Sequence, residues 1–266
     1  MSFENKIILV TGAASGIGRA TALAFAKKKV ATLYCLDIHE GGNVETVEKA
    51  RALGCDACAL QADLGDVDSI RQAFAMIRKD AGRLDGAALV GGYSWRGETL
   101  DVTPEQWDKV VGVNLKGVFF CCQEALKIMY PQRSGAIVTM SADGAFFPVE
   151  GLAVQAAAKG GVALMTRTLG FEAAPRGVRV NAVSPGIVHV KKSGWISEPG
   201  PQIRRDTDAD EPPPSTELAK ATAAGRWMEE REIADVFVYL CSDESSGVNG
   251  QTVLVNAGGY KTMQYK

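Results

Sequence analysis

Short apolar runs alternate with longer amphipathic segments along almost the whole chain. The first apolar run covers residues 7–10, and the amphipathic segment after it covers residues 18–28. Short apolar runs predict buried strands, and longer segments with apolar residues at helical spacing predict helices. The pattern therefore predicts repeated β-α-β units, which build a parallel sheet.

The complete alternation predicts an α/β fold of the doubly wound Rossmann type, with about seven parallel strands and helices on both faces of the sheet. The predicted strands are residues 7–10, 31–36, 57–61, 86–90, 136–140, 178–183 and 252–255. The predicted helices are residues 18–28, 44–53, 67–80, 104–129, 151–173 and 230–242. No repeat or linker divides the chain, so we predict a single domain over residues 1–266.

One long segment interrupts this alternation. Residues 190–226 include a lysine pair, a run of three prolines at 212–214 and no apolar periodicity until about Leu218. A long irregular segment inside a compact domain usually has a function or moves. Because it follows a strand end, where open α/β sheets bind ligands, we predict a substrate lid or mobile insertion here. A solvated insertion is the alternative.

Composition restricts the function classes. Of the 266 residues, 46% are hydrophobic and 23% are charged, and the net charge is −2. Disorder needs lower hydrophobicity and a membrane span needs about 20 consecutive apolar residues, so neither is expected. Because the chain has no basic excess to attract phosphate backbones, we expect a small-molecule substrate and neither nucleic acid nor a membrane as partner.

The cysteines indicate a reducing compartment. The chain has six, mostly in apolar stretches where a thiol acts as a small hydrophobic group. Cys55 and Cys58 have C-x-x-C spacing, but there is no second pair at this spacing and both histidines are distant in sequence, so we expect no metal. The first residues lack the long apolar core of a signal peptide, and we predict a cytoplasmic protein.

A glycine-rich turn joins the first predicted strand to the first predicted helix. Gly12, Gly16 and Gly18 allow a tight turn and close approach to a pyrophosphate, whose charge the N-terminus of the helix favours. Asp37 ends the second predicted strand, 19 residues after Gly18, where an acid binds the adenosine ribose hydroxyls. The combination predicts a dinucleotide-binding site.

The charge near the adenosine ribose favours NAD over NADP. The carboxylate of Asp37 would repel the 2′-phosphate of NADP. No arginine or lysine that could offset this repulsion stands at the neighbouring positions, which are Ala14, Ser15, Ile38 and His39. We therefore predict NAD as the cofactor.

Several motifs together resemble those of the short-chain dehydrogenase/reductase family. They are the T-G-x-x-x-G-I-G turn, Asp63-Leu64, Asn114 in V-N-L-K-G, Lys159, and V-N-A-V-S-P-G at residues 180–186. The resemblance covers residues 6–259. It implies a Rossmann-type fold, an NAD site and oxidoreductase activity.

The resemblance also implies which residues bind the cofactor. It places Asp63 and Leu64 at the adenine, Lys159 on the nicotinamide ribose, and the backbone near Gly186 at the nicotinamide. The full set of candidate cofactor-binding residues is Gly12, Ser15, Gly16, Ile17, Gly18, Asp37, Ile38, Asp63, Leu64, Gly91, Lys159, Pro185, Gly186 and Val188.

The catalytic positions depart from the family pattern. The resemblance implies a tyrosine four residues before Lys159 as general acid and base, and a serine 13 residues before that tyrosine, but these positions hold Gln155 and Ala142. An amide cannot supply a proton at neutral pH, whereas a positioned acid contributes about 10²–10⁴-fold in rate. The family's N-N-A-G motif is also altered, to L-V-G-G at residues 89–92.

Two residues at predicted strand ends, Tyr93 and Asp143, are the first candidates to replace the missing proton donor, and His189 at a third strand end ranks below them. The candidate catalytic residues are therefore Asn114, Gln155, Lys159, Asp143 and Tyr93. The predicted function is an NAD-dependent oxidoreductase of the short-chain dehydrogenase/reductase type with a degenerate catalytic site. The alternatives are an NAD-binding non-redox catalyst or cyclisation template, and a catalytically inactive cofactor-bound structural or regulatory subunit.

The family resemblance also implies a homo-oligomer, most simply a homotetramer, with the predicted helices 104–129 and 151–173 at an interface. Residues 118–122 are five consecutive apolar residues, which is more than one buried stripe of a helix accommodates. Part of this helix is therefore expected to face a second copy of the chain.

Overall fold

The computed structural model describes residues 3–190 and 222–259. Seven strands of this part form one parallel sheet: β1 (Ile7–Thr11), β2 (Thr32–Asp37), β3 (Asp56–Gln61), β4 (Gly86–Leu89), β5 (Gly135–Met140), β6 (Val178–Pro185) and β9 (Thr252–Val255). Two short strands between β6 and β9, β7 (Val188–His189) and β8 (Met228–Glu229), pair with each other. The order in the large sheet is β3-β2-β1-β4-β5-β6-β9.

The helices are α1 (Gly16–Lys27), α2 (Glu40–Ala52), α3 (Val67–Ala81), α4 (Pro104–Val111), α5 (Val118–Gln132), α6 (Ala153–Ala173) and α7 (Glu230–Cys241). The predicted doubly wound α/β fold is confirmed. Within residues 3–190 and 222–259, no helix combines the length and apolar composition that a membrane crossing requires. Most of the predicted lid, residues 191–221, lies outside the described residues.

Alternate residues of each strand face opposite sides of the sheet, and each side is covered by helices. On β1, Leu9 belongs to the core cluster that contains Phe74 of α3 and Met129 of α5. Ile8 belongs to the opposite cluster, with Phe237 of α7. Full burial of such a side chain contributes about 1.5–3 kcal/mol to stability. The apolar runs of central strands such as β1 and β4 are therefore buried on both faces of the sheet.

The order of the strands places a crevice beside β1. The end of β1, Thr11, pairs with Leu36 of β2 on one side and with Leu89 of β4 on the other. Because the chain crosses from β3 back over β1 to reach β4, the connections after β1 and β4 leave the sheet towards opposite faces. Open α/β sheets bind ligands at such a reversal point, outside the carboxyl ends of the strands.

The predicted helix over residues 104–129 is interrupted. A π-helical segment, Gly112–Gly117, separates α4 from α5. A Cβ at Gly117 would lie 2.1 Å from the carbonyl oxygen of Leu64, so the helix passes close to the connection after β3. Hydrophobic spacing cannot distinguish one wider turn from a regular helix, and such turns are frequent at functional sites.

Candidate active site

A cavity of about 820 Å³ opens at the carboxyl ends of the strands around β1 and β4. Most predicted site residues line it: Gly12, Ser15, Gly16, Ile17, Gly18, Asp37, Ile38, Asp63, Leu64, Gly91, Tyr93, Asn114, Gln155 and Lys159. The remaining predicted residues are outside the lining that the described residues form: Asp143, Pro185, Gly186 and Val188. The tertiary structure therefore brings together candidates that lie up to 147 positions apart in the sequence, from Gly12 to Lys159.

The glycine-rich turn brings three backbone segments into close contact. A Cβ at Gly18 would lie 1.9 Å from the carbonyl oxygen of Gly12, and one at Gly12 would lie 2.6 Å from the Cα of Gly91. Gly12 also has a φ of +69°, which favours glycine. Helix α1 begins at Gly16, within this glycine-rich segment, and has no acidic residue in its first turn. Its free N–H groups and positive dipole end therefore favour an anion.

The carboxylate of Asp37 closes the next part of the cavity. Its Oδ2 accepts a hydrogen bond from the backbone N–H of Ala14 at 2.9 Å, and its Oδ1 accepts one from the N–H of His39 at 2.9 Å. These bonds fix the carboxylate between the turn after β1 and the start of α2. Each oxygen retains capacity for a further donor, such as a ribose hydroxyl.

Arg19 is the basic residue closest in sequence to this turn, and its guanidinium bonds to groups other than the carboxylate of Asp37. It donates to the carbonyl oxygens of Ala14 at 2.6 Å and Gly42 at 3.1 Å. It also forms an ion pair with Glu45 at 2.8 Å. The guanidinium of Arg19 is thus engaged by α2, through the carbonyl oxygen of Gly42 and the carboxylate of Glu45.

The connection after β3 forms the wall opposite Gly91. Asp63 accepts a hydrogen bond from the N–H of Gly65 at 2.7 Å, which holds its carboxylate against its own loop. A Cβ at Gly91 would lie 2.5 Å from Cδ1 of Leu64, so the Leu64 side chain rests directly on the backbone after β4. The apolar side chain and the carboxylate present a mixed surface that suits a purine ring.

Lys159 lies on α6 with its amine at the inner wall of the cavity. The side chain is 5% exposed, and its Nζ donates to the carbonyl oxygen of Met140 at 2.7 Å. Ser141 donates to the carbonyl oxygen of Lys159 at 2.9 Å, which ties the end of β5 to α6. Burial lowers the pKa of the Lys159 amine to about 8.

Asn114 holds the connection after β4. It is 1% exposed and lies in the π-helical segment. Its Oδ1 accepts from the N–H of Tyr93 at 3.1 Å, and its Nδ2 donates to the carbonyl oxygen of Tyr93 at 2.6 Å. A Cβ at Gly92 would lie 2.6 Å from Oδ1 of Asn114 and 3.7 Å from Nζ of Lys159. Asn114 and Lys159 therefore flank the same stretch of backbone.

Gln155 lies one helical turn before Lys159. The side chain beside Gln155 is that of Ser94, which was not among the predicted site residues. The hydroxyl of Ser94 is 3.5 Å from Oε1 of Gln155, and both side chains line the cavity. Ser94 directly follows Tyr93 at a strand end, so the rule that selected Tyr93 could have selected it too. Other unpredicted lining residues, such as Asp108 and Lys109 of α4, gave no local signal.

The two predicted proton donors occupy different places. Tyr93 lines the cavity, and the Nζ of Lys109 lies 4.5 Å from the centre of its ring. Asp143 is 3% exposed and accepts a hydrogen bond from the hydroxyl of Ser184 at 3.3 Å. Its second oxygen lies 3.1 Å from where a Cβ of Gly186 would be. Asp143 is thus packed behind the cavity wall, beside the segment predicted to contact the nicotinamide.

The cavity fits a dinucleotide. Its glycine turn leaves room that a Cβ would fill, and the free N–H groups at the start of α1 favour an anion. The carboxylate of Asp37, held by hydrogen bonds, follows at the end of β2. These three features are the parts that dinucleotide sites of open α/β sheets share.

Residues 12–260 match the family described as Enoyl-(Acyl carrier protein) reductase. The 3-oxoacyl-[acyl-carrier-protein] reductase FabG of Thermotoga maritima is 34% identical over 97% of this chain and 99% of its own length. The NAD-dependent glycerol dehydrogenase of Listeria innocua is 31% identical over 97% and 95%. The chain is therefore similar to reductases and dehydrogenases over almost its entire length.

Solved structures give the same result. Levodione reductase superposes with a TM-score of 0.86 at 28% identity, over 99% of this chain and all of the other. The acetoin dehydrogenase YohF of Salmonella typhimurium superposes with a TM-score of 0.81 at 25% identity, over 96% of each chain. With the sequence matches and the geometry of the cavity, these similarities show that the chain belongs to the short-chain dehydrogenase/reductase family of oxidoreductases.

Proposed function

We propose that this chain is an NAD-dependent oxidoreductase that interconverts an alcohol and a carbonyl compound, with Gln155 and Ala142 at the positions of the family's tyrosine and serine. The observation that carries the proposal is that a dinucleotide cradle, Lys159 and Asn114 line one continuous cavity. In this proposal the buried amine of Lys159 serves nicotinamide chemistry, and the buried amide of Asn114 holds the backbone of Tyr93 beside it.

The chain's residues would hold the cofactor in a definite order. The glycine turn and the N-terminus of α1 would bind the pyrophosphate, and Asp37 would bind the adenosine ribose. Asp63 and Leu64 would contact the adenine, and Lys159 would bind the nicotinamide ribose. When bound, the nicotinamide supplies or accepts a hydride.

The electrostatics at the adenosine ribose support NAD rather than NADP. Asp37 lines the cavity as a carboxylate, and the nearby guanidinium of Arg19 is engaged by Ala14, Gly42 and Glu45. A 2′-phosphate at Asp37 would meet a negative charge with no compensating arginine or lysine at the neighbouring positions. The printed name of the NAD-dependent glycerol dehydrogenase is consistent with this preference.

At the other end, the amides and hydroxyls would position the substrate oxygen. Gln155 has two N–H donors and Ser94 has a hydroxyl, and both line the cavity. Ser94 would thereby position the substrate oxygen in place of the family's serine, because Ala142 has no polar side-chain group. The relatives named glycerol dehydrogenase and acetoin dehydrogenase support a small hydroxyl or keto compound as the substrate class.

A second function is favoured by one observation. Gln155 stands where the family uses an ionisable hydroxyl, and an amide cannot donate a proton at neutral pH. In this second function the protein binds NAD and catalyses a non-redox step, or serves as a cofactor-bound structural or regulatory subunit.

The deciding experiment compares the parent with the double variant Gln155→Tyr, Ala142→Ser. Both are assayed for NADH formation and consumption against a panel of alcohols and ketones. Turnover by the parent supports the proposed oxidoreductase. Turnover by the double variant alone would replace the proposal with the second function. The double variant Gln155→Phe, Ala142→Ser is the matched control, because it adds the ring without the hydroxyl and should gain no rate.

A further inference from the structure

The end of the cavity around Lys159 contains three groups that can hydrogen-bond a substrate oxygen but differ in acidity. The Gln155 amide and the Ser94 hydroxyl can donate a hydrogen bond but cannot release a proton at neutral pH. The Lys159 amine can do both. All three line the cavity, and Gln155 and Lys159 are one helical turn apart on α6.

The Lys159 amine is held in place by one contact and is not neutralised by an acid. Its Nζ donates to the carbonyl oxygen of Met140 at 2.7 Å, and within the described residues it forms no ion pair. A protonated amine has three N–H donors, so two are available for other acceptors. Since Lys159 is 5% exposed and lies on the cavity wall, these N–H groups are placed to donate to a ligand bound in the cavity.

Burial also makes this amine a usable acid. Desolvation lowers the pKa of Lys159 to about 8, close to the pH at which general acids are most effective. The other charged or titratable side chains on the cavity wall are Asp37, His39, Asp63, Asp66, Tyr93, Asp108 and Lys109. Burial of the Lys159 amine is the cause of its lowered pKa.

Tyr93 is a weaker candidate for the same task. Its backbone is fixed by Asn114, and its ring packs with the cluster that contains Trp95 and beneath Lys109. Asp143 lies behind the wall, against Ser184. Of the titratable groups considered, Lys159 is the one that shares a helix face with Gln155.

We propose that Lys159 itself donates the proton to the substrate oxygen, in place of an acidic side chain at position 155. This inference rests on the proposed function. In the reducing direction, a bound reduced nicotinamide would supply the hydride that forms a C–H bond at the carbonyl carbon. The carbonyl oxygen, which gains the C=O π electrons, would take a proton from the Lys159 ammonium as its N–H bond breaks. The products are an alcohol, the oxidised nicotinamide and a neutral amine, which solvent reprotonates.

The first test measures ionisation without turnover. Competitive acetylation across pH 6–11, read by mass spectrometry of the peptide that contains Lys159, gives the pKa of its amine in the free protein. We expect a midpoint near pH 8 for Lys159, and exposed Lys28 serves as an internal reference. A Lys159 midpoint that coincides with that of Lys28 would overturn the proposal.

The second test separates charge from proton transfer. Lys159→Arg keeps the positive charge, but the guanidinium has no proton to give at neutral pH. We therefore expect the rate of carbonyl reduction to fall at least 100-fold. The affinity for NADH, measured by calorimetry, should fall less than tenfold. In Lys159→Ala, we expect added methylamine to restore part of the rate and guanidinium, an equal charge, to restore none. Lys28→Arg, at an exposed site, is the matched control.

The outcomes distinguish the inference from the function on which it rests. Retained turnover in Lys159→Arg would overturn the role of Lys159 and leave the oxidoreductase in place. The same holds if, in addition, Tyr93→Phe loses at least tenfold in rate. Absence of turnover in the parent would overturn the proposed function and the proton-donor role with it, even with a labelling midpoint near pH 8.

Discussion

The side chain of Asn114 forms two hydrogen bonds with the backbone of Tyr93, accepting from its N–H at 3.1 Å and donating to its carbonyl oxygen at 2.6 Å. The pair joins the π-helical segment to the connection after β4. It fixes the backbone next to Gly92, and a Cβ at Gly92 would lie 3.7 Å from Nζ of Lys159. Asn114, a candidate catalytic residue, therefore has a structural role.

Replacement of this amide should destabilise the fold. In Asn114→Ala the backbone N–H and carbonyl of Tyr93 lose their partners, and we expect the free energy of unfolding to fall by about 1–3 kcal/mol. Urea unfolding measures it. Asn5→Ala, at an exposed turn, is the control and should change stability by less than about 0.5 kcal/mol. Equal stabilities of the two variants would contradict the structural role.

Removal of the Asp37 charge should alter cofactor preference. In Asp37→Ser the repulsion of a 2′-phosphate disappears together with an acceptor for the ribose hydroxyls. We expect the ratio of NADP to NAD dissociation constants to shift at least about tenfold towards NADP, equivalent to about 1.4 kcal/mol. Calorimetry with both dinucleotides measures this ratio, and Asp56→Ser at the exposed start of β3 should leave it unchanged. Tighter binding of NADP by the parent would refute the NAD assignment.

Two glycine substitutions should have opposite effects. In Gly18→Ala the new methyl group would lie 1.9 Å from the carbonyl oxygen of Gly12, so the backbone must shift; we expect a loss of stability of about 1–3 kcal/mol and weak NAD binding. In Gly41→Ala, on α2, the methyl group meets nothing within 4 Å. There we expect a gain of about 0.5–1 kcal/mol from helix propensity. Thermal unfolding and calorimetry of both variants check this contrast.

The pH dependence of stability should report the buried amine. The pKa of Lys159 is lowered to about 8 in the folded state, against about 10.4 in an unfolded chain, so the unfolded state binds more protons between these values. Stability should therefore rise with pH in this interval, by roughly 3 kcal/mol in total, relative to Lys159→Met. The unfolding free energies of parent and variant are measured at pH 7 and at pH 10, and their difference at each pH is compared. This comparison isolates the contribution of Lys159, because the other titratable groups contribute equally to both proteins. A constant difference would show that the amine has its ordinary pKa.

We propose that α5 and α6 form an interface in a homotetramer. Two apolar residues seven positions apart on α6, Leu164 and Phe171, are 68% and 83% exposed, and Phe119 on α5 is 39% exposed. Light scattering should give the mass of four chains for the parent. It should give a smaller species for the double variant Leu164→Glu, Phe171→Glu, but not for Glu172→Gln on the same helix. A monomeric parent would contradict the assembly.

The sequence by itself determined the sheet, the glycine turn and the acid at the end of β2. These features depend on consecutive residues: apolar runs predict strands, and a strand followed by Gly12, Gly16 and Gly18 predicts the turn into α1. The departure at Gln155 was also visible, because it needs only a count back from Lys159. The predicted continuous helix over 104–129 was wrong, since periodicity does not detect a π-helical turn.

The tertiary structure alone decided which of these residues act on one another. Ser94 meets Gln155 across 61 positions, and Arg19 pairs with Glu45 of α2. The pKa of Lys159 depends on burial by β5 and the connection after β4, neither of which is encoded near it. Such contacts follow from strand order and packing between distant segments, and local sequence patterns contain no information about either.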